Sequence, residues 1–276
     1  MLNIINDISE YFYVIGDIHG CFNDILSMLK RYSMQNVSVL VAGDCGFGFT
    51  TIEGDKYALS KLRRYADKNN VTVYFLRGNH DNPQYFKNEF SVGKHLKCIP
   101  DYTVIHSVPQ DFNVVCIGGA TSIDRSDRIG RYQKRVLDYM KYHRGNEQEA
   151  LQKVQKAYWE DEAPVYDEQS LDEINETLKI DFVVAHTCPS FCQPLTKDGL
   201  YNWMANDKDL EKDLNDERQT MDKILKRLWE AKQPIKKWVY GHFHYHNYDS
   251  INGIDYVMLD MSGMGNGVCD MVELRK

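Results

Sequence analysis

The sequence contains no run of roughly 18 uncharged apolar residues, so no part of it reads as a bilayer-spanning helix. Its first residues, MLNIINDISEYFYVIGD, lack a basic region followed by an apolar core, and nothing in them is expected to address a membrane. No two of the seven cysteines form a CxxC pair and their number is odd, which argues against a disulfide framework and for reduced thiols in the cytoplasm. Positive charge is also short. The formal net charge is −7, so a broad, sequence-independent grip on long nucleic acid is disfavoured, although a local positive site can still hold a phosphate. There is no internal repeat and no low-complexity linker, so the 276 residues are expected to form one domain, 1–276.

What is present is an ordinary globular composition, 43% apolar and 26% charged, arranged in short apolar runs. Tyr11–Ile15, Val37–Val41, Val71–Leu76, Phe182–Ala185 and Trp238–Tyr240 each read as a buried strand. Between the first three lie segments of helical spacing, Ile25, Leu26, Leu29 and Tyr32, then Tyr57, Leu62 and Tyr65, which implies parallel βαβ units. After Asn88 the texture changes: Thr103–His106 and Asn113–Gly118 read as strands of a second sheet, joined by strands near Tyr248–Ile251 and Ile254–Leu259. A charged stretch of helical pattern, from about 124 to 178, is expected to be an insertion or cap. The segment from Asp207 to Ala231, with Leu210, Leu214, Met221, Ile224, Leu225 and Leu228, reads as an outer helix.

Each of the five apolar runs ends in a polar cluster able to bind metal. In order they are Gly16-Asp17-Ile18-His19-Gly20, Gly43-Asp44-Cys45-Gly46, Gly78-Asn79-His80-Asp81, His186-Thr187 and Gly241-His242-Phe243-His244. Ligands in open α/β sheets sit beyond the carboxyl ends of strands, so five such clusters converge on one edge. Imidazole, carboxylate and one amide together suit manganese, iron, zinc, nickel or cobalt rather than an all-oxygen magnesium or calcium cage. Two divalent ions beside Asp17 and Asp44 would leave a charge of about +2, matched to a phosphate dianion.

These clusters resemble the ordered signature of the calcineurin-like metallophosphoesterases: DxH, GDxx, GNH followed by an acid, a lone His, and GHxH. The resemblance runs from Tyr13 to His244, with little of the signature between His80 and His186. It implies an α/β fold, a four-layer α-β-β-α sandwich of two mixed sheets flanked by helices, and hydrolysis of a phosphate mono- or diester by a metal-bridging hydroxide. By position it implies Asp17, His19 and His244 as ligands of one ion, Asn79, His186 and His242 of a second, and Asp44 as the bridge; the ions are expected to be manganese foremost. His80 would protonate the leaving group or steady the phosphoryl oxygens, with Asp81 orienting it. Arg77 stands where the similar protein Ser/Thr phosphatases, with their RGNH run, place a phosphate-binding arginine. Those phosphatases follow GD with an acid, Arg and Gly, whereas this chain reads Cys45-Gly46-Phe47-Gly48 and lacks that clamp. Arg125, Arg128 and Arg131, after the Gly118-Gly119 turn, are candidates to replace it.

Several residues have plainer readings. His246 is expected on a strand surface, and His95, His106 and His143 carry no assigned role. Cys45 and Cys188 are expected to pack rather than ligate. The acidic run Trp159-Glu160-Asp161-Glu162 is either a solvated helix end or a cap touching substrate. The expected substrate is a small phosphate ester, with nucleotides and phosphoproteins as further classes. The alternative function is a catalytically inactive interaction module on the same fold; such a module should lack ligands or the His after Asn, and here every position is filled.

Overall fold

The computed structural model describes residues 2–143, 145–195, 199–263 and 265–276. In chain order the elements are β1 (Ile4–Asp7), β2 (Tyr11–Ile15), α1 (Phe22–Arg31), β3 (Val37–Val41), α2 (Ile52–Ala58), α3 (Ser60–Asn69) and β4 (Thr72–Phe75). Then follow α4 (Pro83–Lys87), β5 (Ser91–Val92), β6 (Leu96–Cys98), β7 (Val104–Ser107), β8 (Phe112–Ile117), α5 (Arg125–His143), α6 (Glu147–Lys153) and α7 (Glu168–Thr177). The chain closes with β9 (Phe182–Ala185), α8 (Leu200–Met204), α9 (Leu210–Glu230), β10 (Lys237–Tyr240), β11 (Asn247–Ile251), β12 (Ile254–Met258) and β13 (Met271–Leu274).

Strand periodicity builds the layers. In β2, Phe12 and Val14 point to one side and Ile15 to the other; in β9, Phe182 and Val184 oppose Val183 and Ala185. Phe12, Leu40, Tyr74, Val114, Phe182 and Val239 meet in a core between two sheets, one of six strands ordered β13-β2-β3-β4-β6-β5 and one of seven ordered β1-β7-β8-β9-β10-β12-β11. On the outer face of the six-stranded sheet, α1 buries Ile25, Leu26, Met28 and Leu29, joined by Leu62 and Ala66 of α3. On the outer face of the seven-stranded sheet, α7 and α9 bury Leu171, Ile174, Met221, Ile224 and Leu228. The result is the expected four-layer sandwich. Both sheets are mixed: β2, β3, β4 and β6 run parallel with antiparallel β13 and β5 at the edges, and β8, β9, β10 and β12 run parallel beside antiparallel β7 and β11.

Four strands were not legible as runs. β1, β5 and β13 lie at or near sheet edges and β6 has only three residues, so none needs a continuous apolar segment. The segment 124–178 is described except for residue 144. It holds α5, α6 and α7, with no helix between Lys153 and Glu168; α7 belongs to the outer helical layer through Leu171 and Ile174, and the carbonyls of residues 161–163 and 165 are bonded by Arg77, Ala120 and Tyr102. Among the described residues no helix is long and apolar enough to cross a membrane.

Candidate metal centre

The turns after β2, β3, β4, β9 and β10 bring their polar residues to one place. Potential ligand atoms of Asp17, His19, Asp44 and His244 lie within 4.8 Å of one another, and so do those of Asp44, His186 and His242. Asp44 belongs to both groups. Asn79 joins the second, its Oδ1 2.9 Å from His186 Nε2.

The donor chemistry fits metal ions. His186 Nδ1 faces the Ala42 carbonyl at 2.8 Å, an atom that only accepts, so the neutral ring turns its Nε2 lone pair inward. There it meets Asp44 Oδ1 at 3.3 Å and Asn79 Oδ1 at 2.9 Å, both also acceptors. In the other group His19 Nε2 and His244 Nε2 face each other at 3.0 Å, with Asp17 Oδ2 3.2 Å from His244 Nε2. Inward lone pairs with too few protons between them call for a cation. Without an ion the same acceptors are met by a proton instead: burial lowers the His186 pKa, yet Asp44 and Asp17 override it and bring it up to about 9, so the site draws positive charge in either case. Asp44, fully buried, is nonetheless held well below the usual carboxylate range by His80, His186 and His19.

The backbone is strained where the ligands sit. His19, Asp44, His242 and His244 all have positive φ, between 43° and 69°, a region that non-glycine residues seldom occupy. Close approach does the rest: a Cβ on Gly78 would stand 2.1 Å from Asp44 Oδ1, and one on Gly241 2.1 Å from Asp17 Oδ1.

The sequence profile of the calcineurin-like phosphoesterases matches residues 11–259, spanning all five clusters. The chain belongs to that family. Its members' fold recurs in a dimetal phosphatase from Danio rerio, 13% identical, with a TM-score of 0.52 over 98% of this chain and 94% of that one. A phosphopantetheinyl hydrolase from Mycobacterium tuberculosis is 15% identical, with a TM-score of 0.42 over 93% of this chain and 90% of that one. A search of curated protein sequences found none that matches. This calcineurin-like phosphoesterase therefore carries a metal-dependent hydrolase fold with a donor set to match.

Three of the expected site residues are engaged elsewhere in the structure. Arg77 is buried, and all five guanidinium N–H groups have acceptors in Asp101 and the carbonyls of Asp161, Glu162 and Ala163. Arg125 is likewise engaged, by Asp207 at 2.5 Å and Asp213 at 2.7 Å. Asp81 is turned to the backbone. Its carboxylate accepts backbone N–H bonds from Gly78, Cys45, Gly46 and Phe47 at 2.7 to 2.9 Å, so it ties the Asp44 turn to the Asn79 turn. Phe47 explains the departure from the Ser/Thr phosphatase clamp: it is fully buried among Phe22, Phe75, Tyr85, Phe86 and Phe90, anchoring the loop from below.

Arg128 does reach the site. Its Nη2 lies 2.7 Å from His80 Nδ1 and also touches Nε2, while Nε bonds Asp124 and Nη1 the Ala157 carbonyl. Burial, together with the Arg128 charge, outweighs Asp44 and brings the His80 pKa down to about 4, so its imidazole is neutral at neutral pH.

Sequence reasoning missed a supporting layer. Asn79 Nδ2 donates to Ser122 Oγ at 2.8 Å, and Ser122 donates both its N–H and its hydroxyl to Glu162. Glu217, from α9, accepts from Thr121 N and from Thr187 Oγ1 beside His186. Ser122, close behind the Gly118-Gly119 turn, was the one available hint. Glu162 is buried, so the acidic run is not a solvated helix end, although Asp161 in it is exposed and pairs with Lys87. Cys45 donates to the Leu76 carbonyl and packs, and Arg218 donates to Cys188 Sγ. His246 pairs with Asp270, His95 contacts Thr72, His106 contacts Asn113, and His143 stacks on Tyr139.

Proposed function

We propose that this calcineurin-like phosphoesterase hydrolyses small phosphate esters, with Asp17, His19 and His244 holding one divalent ion, Asn79, His186 and His242 a second, and Asp44 between them. The observation that supports this above others is the pair of donor groups that share Asp44, with the potential ligand atoms of each group within 4.8 Å of one another. Manganese is the favoured metal, with iron, zinc, nickel and cobalt suited to the same donors. When bound, such ions supply Lewis acidity toward phosphoryl oxygen and acidify a water molecule.

The chain's own residues do the remainder. The centre opens into a cavity of about 610 Å³ bordered by Asn79, His80, Ser122, Trp203, His242 and His244, room for a small organophosphate. Neutral His80 offers a ring N–H to an oxygen of the bound ester, and Arg128 against its ring adds the positive charge that steadies developing negative charge. Asp81, Ser122 and Glu162 keep the turns and Asn79 in place, which limits the reorganisation needed during reaction. Seven unpaired cysteines support a reducing compartment, the cytoplasm.

Initial rates on an aryl phosphate monoester and on its bis-aryl diester, with Mn, Ni, Zn or Mg each added to metal-free protein, test the reading. Turnover of at least one ester with a transition ion is expected. Inactivity toward both under every metal overturns it.

A further inference from the structure

A second cavity adjoins the metal cleft, and His80 and Asp124 border both. It is a groove of about 600 Å³ walled on one side by Phe49 and on the other by Arg128, Arg131, Lys134 and Arg135 of α5. Residues 128, 131, 134 and 135 follow helical spacing, so these side chains share one face of the helix. Against these four cations stand two carboxylates, Asp124 and Asp138, leaving the groove positive in a chain of formal charge −7.

The cations nearest His80 are occupied and the outer ones are not equally so. Arg128 is spent on His80, Asp124 and the Ala157 carbonyl. Arg131 is 70% exposed, with only a 3.7 Å approach to Asp124 and a 3.3 Å bond to its own helix at the Asp127 carbonyl. Arg135 gives one bond to the Gln155 carbonyl, and Lys134 is exposed. Phe49, 38% exposed, has its ring 6.4 Å from that of His80 and 5.9 Å from that of Trp159. A group leaving the metal centre past His80 therefore enters a channel with an apolar wall and a cationic wall.

We infer that this groove receives the leaving portion of the substrate, and that this portion carries a further phosphate held by Arg131, Lys134 and Arg135. The substrate class is thus an organic molecule bearing at least one phosphate beyond the scissile one. The inference rests on the phosphoesterase reading above. In the step it serves, a water oxygen bonds to phosphorus and the bond from phosphorus to the leaving oxygen breaks. That oxygen keeps the electron pair, and the proton released by the water ends on it.

The test compares the bisphosphates of propane-1,3-diol and hexane-1,6-diol with propyl and hexyl monophosphate, using metal-loaded wild type, the double variant Arg131→Glu/Lys134→Glu and, as a control, Lys226→Gln on α9. Wild type is expected to favour at least one bisphosphate in kcat/KM by about tenfold, the double variant to lose most of that preference, and the control to keep it. Absence of any preference in wild type, or its survival in the double variant while monophosphates are hydrolysed, overturns the groove and leaves the phosphoesterase reading standing. If no ester is turned over, that reading falls. The groove is then judged by calorimetric titration of hexane-1,6-diol bisphosphate into the same proteins: binding about tenfold weaker in the double variant upholds it, and equal binding overturns it.

Discussion

His186 Nε2 stands 2.9 Å from Asn79 Oδ1, although the two residues are 107 positions apart and leave strands of different sheets. The centre lies on the seam of the sandwich, where the end of β4 in one sheet meets the end of β9 in the other. Asp44, from the six-stranded sheet, closes the same gap at 3.3 Å. A metal ion held there would join the two sheets.

Asp44→Asn is expected to lower bound metal from two ions per chain to fewer than one, because it removes the charge both donor groups share. His80→Ala should keep its metal while losing turnover by about 100-fold. Elemental analysis after dialysis, paired with rates on an aryl phosphate, separates the two; wild-type rates in His80→Ala would remove its catalytic role.

Arg77→Ala should act on stability. Removing one partner of a buried ion pair costs about 3–5 kcal/mol, and here Asp101 Oδ2 and the Asp161 and Ala163 carbonyls lose the Arg77 donors, while the Glu162 carbonyl keeps only the Ala120 N–H. Urea unfolding should show the loss. Unchanged stability with a raised KM would instead return Arg77 to phosphate binding.

Asp81→Asn sets an amide N–H₂ among four backbone donors. A loss of about 3 kcal/mol or more is expected, together with reduced metal content, because the turns carrying Asp44 and Asn79 separate. A shifted pH–rate profile with stability and metal intact would point to the dyad with His80 instead.

Glu162 gives a pH dependence. Burial raises its pKa from 4.5 to about 7, against the opposing bonds from Ser122. The folded state thus holds the proton more tightly than the unfolded one, so its stabilising contribution is complete below pH 4.5 and lost as pH rises through 7. Between about pH 5 and 8 wild type should lose about 2 kcal/mol relative to Glu162→Gln, read as the difference in urea midpoints. Parallel pH profiles would show that Glu162 ionises normally.

The amino-acid sequence by itself determined the five buried strands and the ligand-bearing turns after them. An apolar run must be buried, and a polar cluster at its end has few places to go other than the strand-end edge. It also determined the two-sheet division and the outer helices, since periods of two and 3.6 residues are local properties. Tertiary structure alone decided what Arg77, Asp81 and Arg125 do. Each is an ion whose role is set by whichever opposite charge or backbone dipole folding brings near, and Asp101, the amides of Cys45 to Phe47, and Asp207 lie too far along the chain for any pattern to reveal. The same holds for the Glu162–Ser122–Asn79 relay and for the basic groove beside His80: both arise where segments distant in sequence are packed together, and only packing fixes which side chains meet.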